Sequence, residues 1–349
     1  MPKISSLSEI ARRYKRVLVF GAGGGGDGLG AFIVWRRLRS LGADALLGSV
    51  VWERFQVDPF PGPIPVESLA GGEAIGWTAA LVDGETVAIR YGATVRPQIA
   101  RIAGIIGERT VYLDLSKGAE GLLMGLESVR EELGVEAFVG VDTGGDILAL
   151  GCEEGLWSPL ADALSLYALS RTEADSYITV LGPGADGELS PDTVLRYIAD
   201  IARREGLIEV FGLSREDYLE ARKLEPNVVS EASKIPLRAF EGKHGTLRIR
   251  GGTRTVRVTP LQATAYLLDA RIVAGRSPLP GLVEGTRGIS QASQALNEAC
   301  IVTELDLEQE LSRLRETGGS RPESLNDIRR RLRRALMSEG CRPLPCSEA

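Results

Sequence analysis

The chain has 349 residues, of which 44% are hydrophobic and 25% are charged, and its net charge at pH 7 is -6. This composition is typical of a globular protein, and the negative charge argues against nucleic acid as a partner. No apolar run approaches the roughly 20 residues that span a bilayer, so we expect no membrane segment.

The residue types available for chemistry are restricted. His244 is the single histidine, which excludes metal sites built from several histidines. Cys152, Cys300, Cys341 and Cys346 lack CxxC spacing, which argues against a structural zinc site and against a disulfide scaffold. The N-terminus lacks the apolar core of a signal peptide, so we expect a cytoplasmic protein. Any reaction should therefore depend on carboxylates, lysine, arginine, hydroxyl groups and backbone amides.

Predicted helices and strands alternate over the first 240 residues. The predicted helices cover residues 6–14, 28–41, 97–106, 119–133, 160–169 and 191–204. The predicted strands cover residues 17–20, 45–52, 110–114, 137–142, 177–181 and 208–211, and a hairpin around Asp83-Gly84 joins residues 78–82 to 86–89. Crossovers of helical length favour parallel pairing, so we predict an α/β fold with a Rossmann-like, mostly parallel sheet and helices on both faces.

The chain is longer than one hydrophobic core usually supports, so we divide it into two regions. Residues 1–240 are predicted to form a Rossmann-like ligand-binding domain, and residues 241–349 a smaller region that packs on this domain or stands alone. In the second region we predict a hairpin of residues 246–250 and 253–258, then helices over 261–274, 290–299, 305–316 and 325–339. The hairpin arginines are expected on a solvated face. The sequence leaves oligomer formation open.

The most informative motif follows the first predicted strand. There the glycine-rich run GAGGGGD leads into an amphipathic helix. Gly21, Gly23 and Gly26 fit the pattern GxGxxG in the strand-to-helix context that phosphate binding by this motif requires. Because glycine has no Cβ, we expect Gly24 and Gly25 to approach a bound phosphate more closely than any side chain of the helix.

Two further loops, after the fourth and fifth predicted strands, also combine glycine with acidic residues. In an open parallel sheet such loops meet outside the carboxyl ends of the strands. Asp142 and Asp146 are predicted to bind Mg²⁺, because closely spaced carboxylates need a cation to relieve their repulsion. Catalytic roles are assigned to Asp27, Asp186 and Lys117. The predicted ligand or cofactor contacts are Gly21, Gly23, Gly24, Gly25, Gly26, Glu53, Arg54, Gly144, Gly145, Gly182 and Gly184.

Six motifs taken together carry a resemblance to a known family. They are GAGGGGD, WER with DPFPGP, VDTGGDIL, SPLADAL, GPGADGEL and SEASK, between Gly21 and Lys234. In combination they resemble a mainly archaeal family known as domain of unknown function 1152, over about residues 15–270. The resemblance implies a Rossmann-like α/β fold and assigns no reaction. The preference for arginine over lysine and the few His, Met and Cys residues would suit a thermophilic archaeon.

Three functions remain open from the sequence. The first is an Mg²⁺-dependent enzyme that transfers or hydrolyses the phosphoryl or nucleotidyl group of a phosphorylated metabolite or nucleotide. The second is a nicotinamide- or flavin-dependent oxidoreductase that binds NAD(P) or flavin at the same glycine loop. This alternative is weakened because Glu53 lies 27 residues after Gly26, beyond the usual spacing of about 20. The third is a non-catalytic nucleotide sensor.

Overall fold

The computed structural model describes residues 4–316 and 324–345, which form one large sheet, two small sheets and the helices that flank them. The strands are β1 Val17–Gly21, β2 Ala45–Val50, β3 Leu69–Ala70, β4 Glu73–Ile75, β5 Ala79–Val82, β6 Val87–Arg90, β7 Ala93–Val95, β8 Thr110–Leu113, β9 Ala137–Thr143, β10 Asp175–Leu181, β11 Leu207–Gly212, β12 Gly245–Ile249, β13 Arg254–Val258 and β14 Thr264–Asp269. The α-helices are α1 Leu7–Arg13, α2 Gly28–Ser40, α3 Gln98–Ile106, α4 Gly118–Leu133, α5 Pro159–Arg171, α6 Pro191–Arg203, α7 Arg215–Leu224, α8 Ile235–Phe240, α9 Ala270–Arg276, α10 Leu279–Val283, α11 Ile289–Asn297, α12 Glu304–Glu316 and α13 Leu325–Glu339. Within these described ranges, no helix has the length and apolar character needed to cross a membrane.

The large sheet has the strand order β11-β14-β10-β9-β1-β2-β8-β5-β4. Its five central strands, β8, β2, β1, β9 and β10, pair in parallel, so in chain order they follow the Rossmann pattern 3-2-1-4-5. From β1 the sheet first extends through β2 and β8 on one side, and the chain then crosses back to place β9 on the other side of β1. The predicted fold class is confirmed, and the reversal places a crevice between the carboxyl ends of β1 and β9.

Both faces of the sheet are covered by helices. Along β1, Val17 and Val19 belong to one core cluster, with side chains from α1, α2, α3 and α7. Leu18 and Phe20 belong to a second core cluster on the opposite face of the sheet, which also contains side chains from α4, α5, α6, α9 and α11. Successive strand residues point to opposite faces, so a strand buried on both sides reads as a continuous apolar run.

The predicted hairpin of residues 78–82 and 86–89 is wrong. The turn does form, since Asp83 Oδ1 accepts from the N–H groups of Glu85 and Thr86. However, β5 pairs with β4 and β8 in the large sheet, whereas β6 pairs with β3 and β7 in a separate sheet. The turn also packs tightly on α3, because a Cβ at Gly84 would lie 2.5 Å from the Gly104 Cα. Tertiary packing therefore sends the second strand away from the first.

The predicted helix over residues 261–274 is also wrong. Residues Thr264–Asp269 form β14, which lies between β10 and β11 and is antiparallel to both, and a helix begins only at Ala270. A short apolar run buried on both faces cannot be separated from a buried helix by periodicity. The region after residue 240 therefore contributes a strand to the large sheet. The hairpin of β12 and β13 is confirmed as a separate two-stranded sheet.

The sequence argued against a disulfide scaffold, and it gave no sign that Cys300 and Cys341 would pair. Cys300 and Cys341 form a disulfide with their Cα atoms 5.2 Å apart, which links the segment before α12 to the end of α13. Their separation of 41 residues matches no local cysteine motif, so only the fold shows the pairing. Cys346 lies outside the described residues.

Candidate functional site

The crevice between β1 and β9 contains a cavity of about 110 Å³. Its walls come mainly from the loops after β1, β2, β9 and β10, as expected for a ligand site at the carboxyl edge of a parallel sheet. The predicted site residues that line it are Gly23, Gly24, Gly25, Gly26, Asp27, Glu53, Arg54, Asp142, Asp146 and Asp186. Segments separated by more than 160 residues in the chain thus meet around one small space.

Lys117 is not among the residues that line the cavity. It follows β8 and forms an ion pair with Glu67, with 2.6 Å between Nζ and Oε1 and nearly half of the lysine side chain exposed. Because β2 lies between β8 and β1, the loop after β8 is two strand spacings, roughly 10 Å, from the glycine loop. The strand order therefore separates Lys117 from the other predicted catalytic residues.

Five predicted glycines also lie outside the cavity lining, and protein atoms occupy the space beside them. They are Gly21, Gly144, Gly145, Gly182 and Gly184. A Cβ on Gly144 would overlap the Asp186 carboxylate, and its φ of +133° is open only to glycine. The missing side chain at Gly144 therefore lets Asp186 reach the cavity, which is a different role from the predicted ligand contact.

The glycine loop retains two free donors at the start of α2. Asp27 accepts from the N–H groups of Gly23, at 2.9 Å, and Thr143, at 3.3 Å. The Gly25 N–H donates to the Trp52 carbonyl. Among the described residues, no acceptor binds the N–H groups of Gly24 and Gly26. Asp27 thus occupies the N–H group of Gly23, whereas the N–H groups of Gly24 and Gly26 are available to an anion.

Glycine is required at position 25 for a reason that the sequence did not show. A Cβ there would lie 2.6 Å from Glu53 Oε2, so the carboxylate of Glu53 already occupies the space beside Gly25. Glu53 in turn accepts from the Gln98 N–H and thereby caps α3. A larger side chain at position 25 would therefore disturb the packing of Glu53 as well as any approach of a ligand to the loop.

Buried carboxylates dominate the cavity. Seven of the lining side chains are acidic and two are basic. Asp142, Asp146 and Asp186 are 6% exposed or less. Burial and the neighbouring carboxylates raise the pKa of Asp142 and Asp146 well above the usual range and raise that of Asp186 to about 7. Without a ligand, these groups must share protons or be neutralised by a cation.

Sequence reasoning missed Asp162, which lies in the first turn of α5. It is 2% exposed, and a Cβ at Gly23 would lie 2.9 Å from its Oδ1. Within the described ranges, Asp162 Oδ1, Asp142 Oδ2 and Asp186 Oδ2 are buried without a hydrogen-bond partner. Buried polar atoms are nearly always paired, so these three oxygens indicate a missing donor or cation. The only sequence signal for Asp162 was its place in the SPLADAL motif.

The carboxylates do not by themselves form a complete metal site. Among the described residues, no group of three or more His, Cys, Asp or Glu side chains is arranged to hold a metal ion. Asp142 and Asp146 both line the cavity and are separated by only four positions in the chain. Mg²⁺ commonly binds one or two carboxylates and completes its shell with water and phosphate oxygens. This pair therefore fits a cation that binds together with a phosphorylated ligand.

A second group that the sequence did not reveal comes from the β12–β13 hairpin. Arg254 is 6% exposed, donates to Glu188 Oε1 at 2.8 Å and lies over the Trp157 ring. Burial alone would raise the pKa of Glu188, but Arg254 and Arg250 outweigh it and lower that pKa to about 2. Arg254 lies two and four residues before the buried Val256 and Val258, so the period of two places all three side chains on the same, apolar face. The expectation of a solvated arginine face is wrong for Arg254.

Helix α12 closes the cavity from the C-terminal region. Glu304 accepts from the N–H groups of Leu160 and Ala161 and thereby caps α5. Glu308 accepts from Trp52 Nε1 at 2.9 Å and from a backbone N–H in the following loop. Burial raises the pKa of Glu304 to about 8 and that of Glu308 to about 7. No local motif marks either residue, because their partners lie more than 140 residues away.

Glu53 provides a prediction for the pH dependence of stability. It is 2% exposed, and burial raises its pKa from 4.5 to about 7. Between these values the unfolded chain has lost this proton while the folded protein retains it, so stability falls as the pH rises, by up to roughly 3 kcal/mol from this group. Urea denaturation of the wild type and Glu53→Gln from pH 4.5 to 8 should show a weaker decline in the variant.

The matched control for this measurement is Glu85→Gln, because the Glu85 side chain is 92% exposed. Its stability should follow the pH dependence of the wild type. Parallel curves for the wild type and Glu53→Gln over this range would contradict the assignment of a buried, protonated Glu53.

The fold and the site together define a Rossmann-like α/β protein with an acidic cavity at the carboxyl edge of its sheet. The chain belongs to the family described as protein of unknown function (DUF1152), whose sequence profile matches residues 18–312. The matched range includes every residue named above as lining the cavity. Comparison with curated proteins and with solved structures found no match.

Proposed function

We propose that the protein binds a phosphorylated small molecule or nucleotide together with Mg²⁺ in this cavity and transfers or hydrolyses its phosphoryl or nucleotidyl group. The observation that carries the proposal is the placement of buried carboxylate oxygens without partners beside a glycine loop with free N–H groups. The first feature attracts a cation and the second attracts an anion. A metal-bound phosphate satisfies both.

Each group of residues in the cavity has a separate role in this proposal. In this proposal the N–H groups of Gly24 and Gly26 would bind phosphate oxygens, and Asp142 and Asp146 would hold the cation, with Asp27 as a further acidic group beside it. Asp186 serves as the proton acceptor, because burial raises its pKa to about 7, close to the pH at which it must act. The cavity of about 110 Å³ is smaller than the roughly 300–1,000 Å³ of whole-ligand sites. It therefore encloses the cation and the reacting phosphate, and the rest of the ligand extends outward.

A thermal-shift panel tests the proposal. Purified protein is heated with nucleoside mono-, di- and triphosphates, sugar phosphates and NAD(P), each with Mg²⁺ and with EDTA. Since a ligand that binds only the folded state raises the melting temperature, we expect a rise of a few degrees with a phosphorylated compound that requires Mg²⁺. Phosphate release from the best ligand then tests turnover.

The outcomes of the panel separate the alternatives. Mg²⁺-dependent binding with no turnover of any compound would contradict the enzymatic part and favour a nucleotide sensor. A shift by NAD(P) or flavin that is unchanged by EDTA would contradict the metal and favour an oxidoreductase. One observation supports that second function, since Glu53 follows β2 beside the glycine loop, where Rossmann dinucleotide sites place an acid for the ribose.

A further inference from the structure

Within residues 4–316 and 324–345, the two basic side chains that line the cavity have no hydrogen-bonded partner. Arg54 follows β2 and Arg250 begins the turn after β12, and each side chain is 24% exposed. Their nearest carboxylates are Glu231, 3.6 Å from Arg54 Nη1, and Glu188, 3.9 Å from Arg250 Nη2. Both distances exceed that of a hydrogen bond. Among the described residues, no acceptor pairs with the buried Arg250 Nε.

Arg254, which is close to the same carboxylate, differs from Arg250 because its guanidinium group has hydrogen-bonded partners. It donates to the Glu188 carboxylate and to the Asp186 carbonyl, and its guanidinium lies 4.5 Å from the centre of the Trp157 ring. Glu188 is thus already neutralised by Arg254. The charge of Arg250, by contrast, has no carboxylate of its own within hydrogen-bonding distance.

The backbone holds Arg250 in a strained conformation. Its φ is +55°, in the left-handed region that residues other than glycine rarely adopt. The Arg250 N–H donates to Glu231 Oε2 at 2.6 Å, and this bond fixes the turn. Glu231 is also the acid nearest to Arg54, so one carboxylate positions both arginines. Burial and the neighbouring arginines lower the pKa of Arg250 to about 9, so it stays charged at pH 7.

We infer that Arg54 and Arg250 form a subsite for the terminal phosphate dianion of the ligand, and that this subsite binds phosphate without a metal ion. The inference deepens the proposed function and rests on it for the identity of the ligand. Guanidinium groups present planar sets of donors that match phosphate oxygens, and a dianion neutralises two of them together. In this arrangement Asp142 and Asp146 bind the cation, and Arg54 and Arg250 bind the terminal phosphate.

Inorganic phosphate in EDTA is the probe that tests the subsite. Isothermal titration at matched ionic strength should show binding to the full chain, and Arg250→Gln and Arg54→Gln should each weaken it about tenfold or more. Arg248→Gln is the matched control, because Arg248 lies in β12, two residues before Arg250, and its side chain is exposed. It should bind phosphate as the wild type does.

Two results would overturn the inference. One is the absence of phosphate binding to the wild type, and the other is equal binding by the wild type and both glutamine variants. Because Arg54 and Arg250 lie on different elements, a folding defect in one variant leaves the other to decide. If phosphate fails to bind in EDTA but a nucleotide with Mg²⁺ stabilises the protein, the subsite is wrong and the proposed function stands. If neither binds, both fail.

Discussion

Asp146→Asn is expected to lower Mg²⁺-dependent ligand affinity at least about 100-fold and to raise the melting temperature of the ligand-free protein by a few degrees. Asp146 is 6% exposed, and the carboxylates of Asp162, Glu188 and Asp186 surround it. The substitution removes one of these mutually repelling groups, so the empty cavity becomes more stable. It also removes a proposed ligand of the cation, so we expect binding to be lost while stability is gained.

Titration of the best ligand from the thermal-shift panel, with Mg²⁺ and with EDTA, measures both effects. Asp192→Asn is the control, since Asp192 is exposed in the first turn of α6, away from the cavity. It should bind as the wild type does. If Mg²⁺ and ligand stabilise Asp146→Asn as much as the wild type, Asp146 is not a metal ligand.

Gly144→Ala is expected to destabilise the folded protein by at least about 3 kcal/mol, the largest loss of stability that we predict. Gly144 has a φ of +133°, and a Cβ there would overlap the buried Asp186 carboxylate. The loop after β9 cannot move away easily, because the Gly144 N–H donates to the Leu181 carbonyl and the Gly144 carbonyl accepts from Gly184. Urea denaturation at pH 7 gives the change directly.

Gly134→Ala separates backbone strain from steric overlap. Gly134 ends α4 with a φ of +66°, and among the described residues no atom lies within 4 Å of the point that an added Cβ would occupy. Its replacement should therefore cost only about 1 kcal/mol. Adding Asp186→Ala to Gly144→Ala should recover part of the loss. Equal destabilisation by Gly144→Ala and Gly134→Ala would contradict the close packing of Asp186 on Gly144.

Part of the site could be predicted because strand direction and loop position are local properties. The apolar run of β1, the glycines after it and the start of α2 are all visible within fourteen residues of sequence. The mainly apolar runs of β9 and β10 could be recognised in the sequence, with Asp142 near the end of the first strand and Asp186 five residues after the second. Since parallel strands end at one edge, these acids could be grouped before their neighbours were known.

The same rule failed for Lys117 because it says nothing about strand order. The loop after β8 lies at the same edge of the sheet, but β2 separates it from β1. Order along the sheet depends on how the helices pack on each face, and that information is spread over the whole chain. The insertion of β14 between β10 and β11 depends on the same long-range packing.

By itself, the sequence determined the alternation of strands and helices, the glycine loop and the acids that follow β1, β9 and β10, since these depend on contacts between near neighbours in the chain. The tertiary structure alone decided the role of Gly144, the partners of Arg254 and the arrival of Glu304 and Asp162 beside the cavity. Each of these depends on side chains brought together from distant segments. The local sequence pattern shows which face of a strand or helix a residue occupies. Its ion-pair partners, and any unpaired polar atom it has, are known only when the distant segments that surround it are in place.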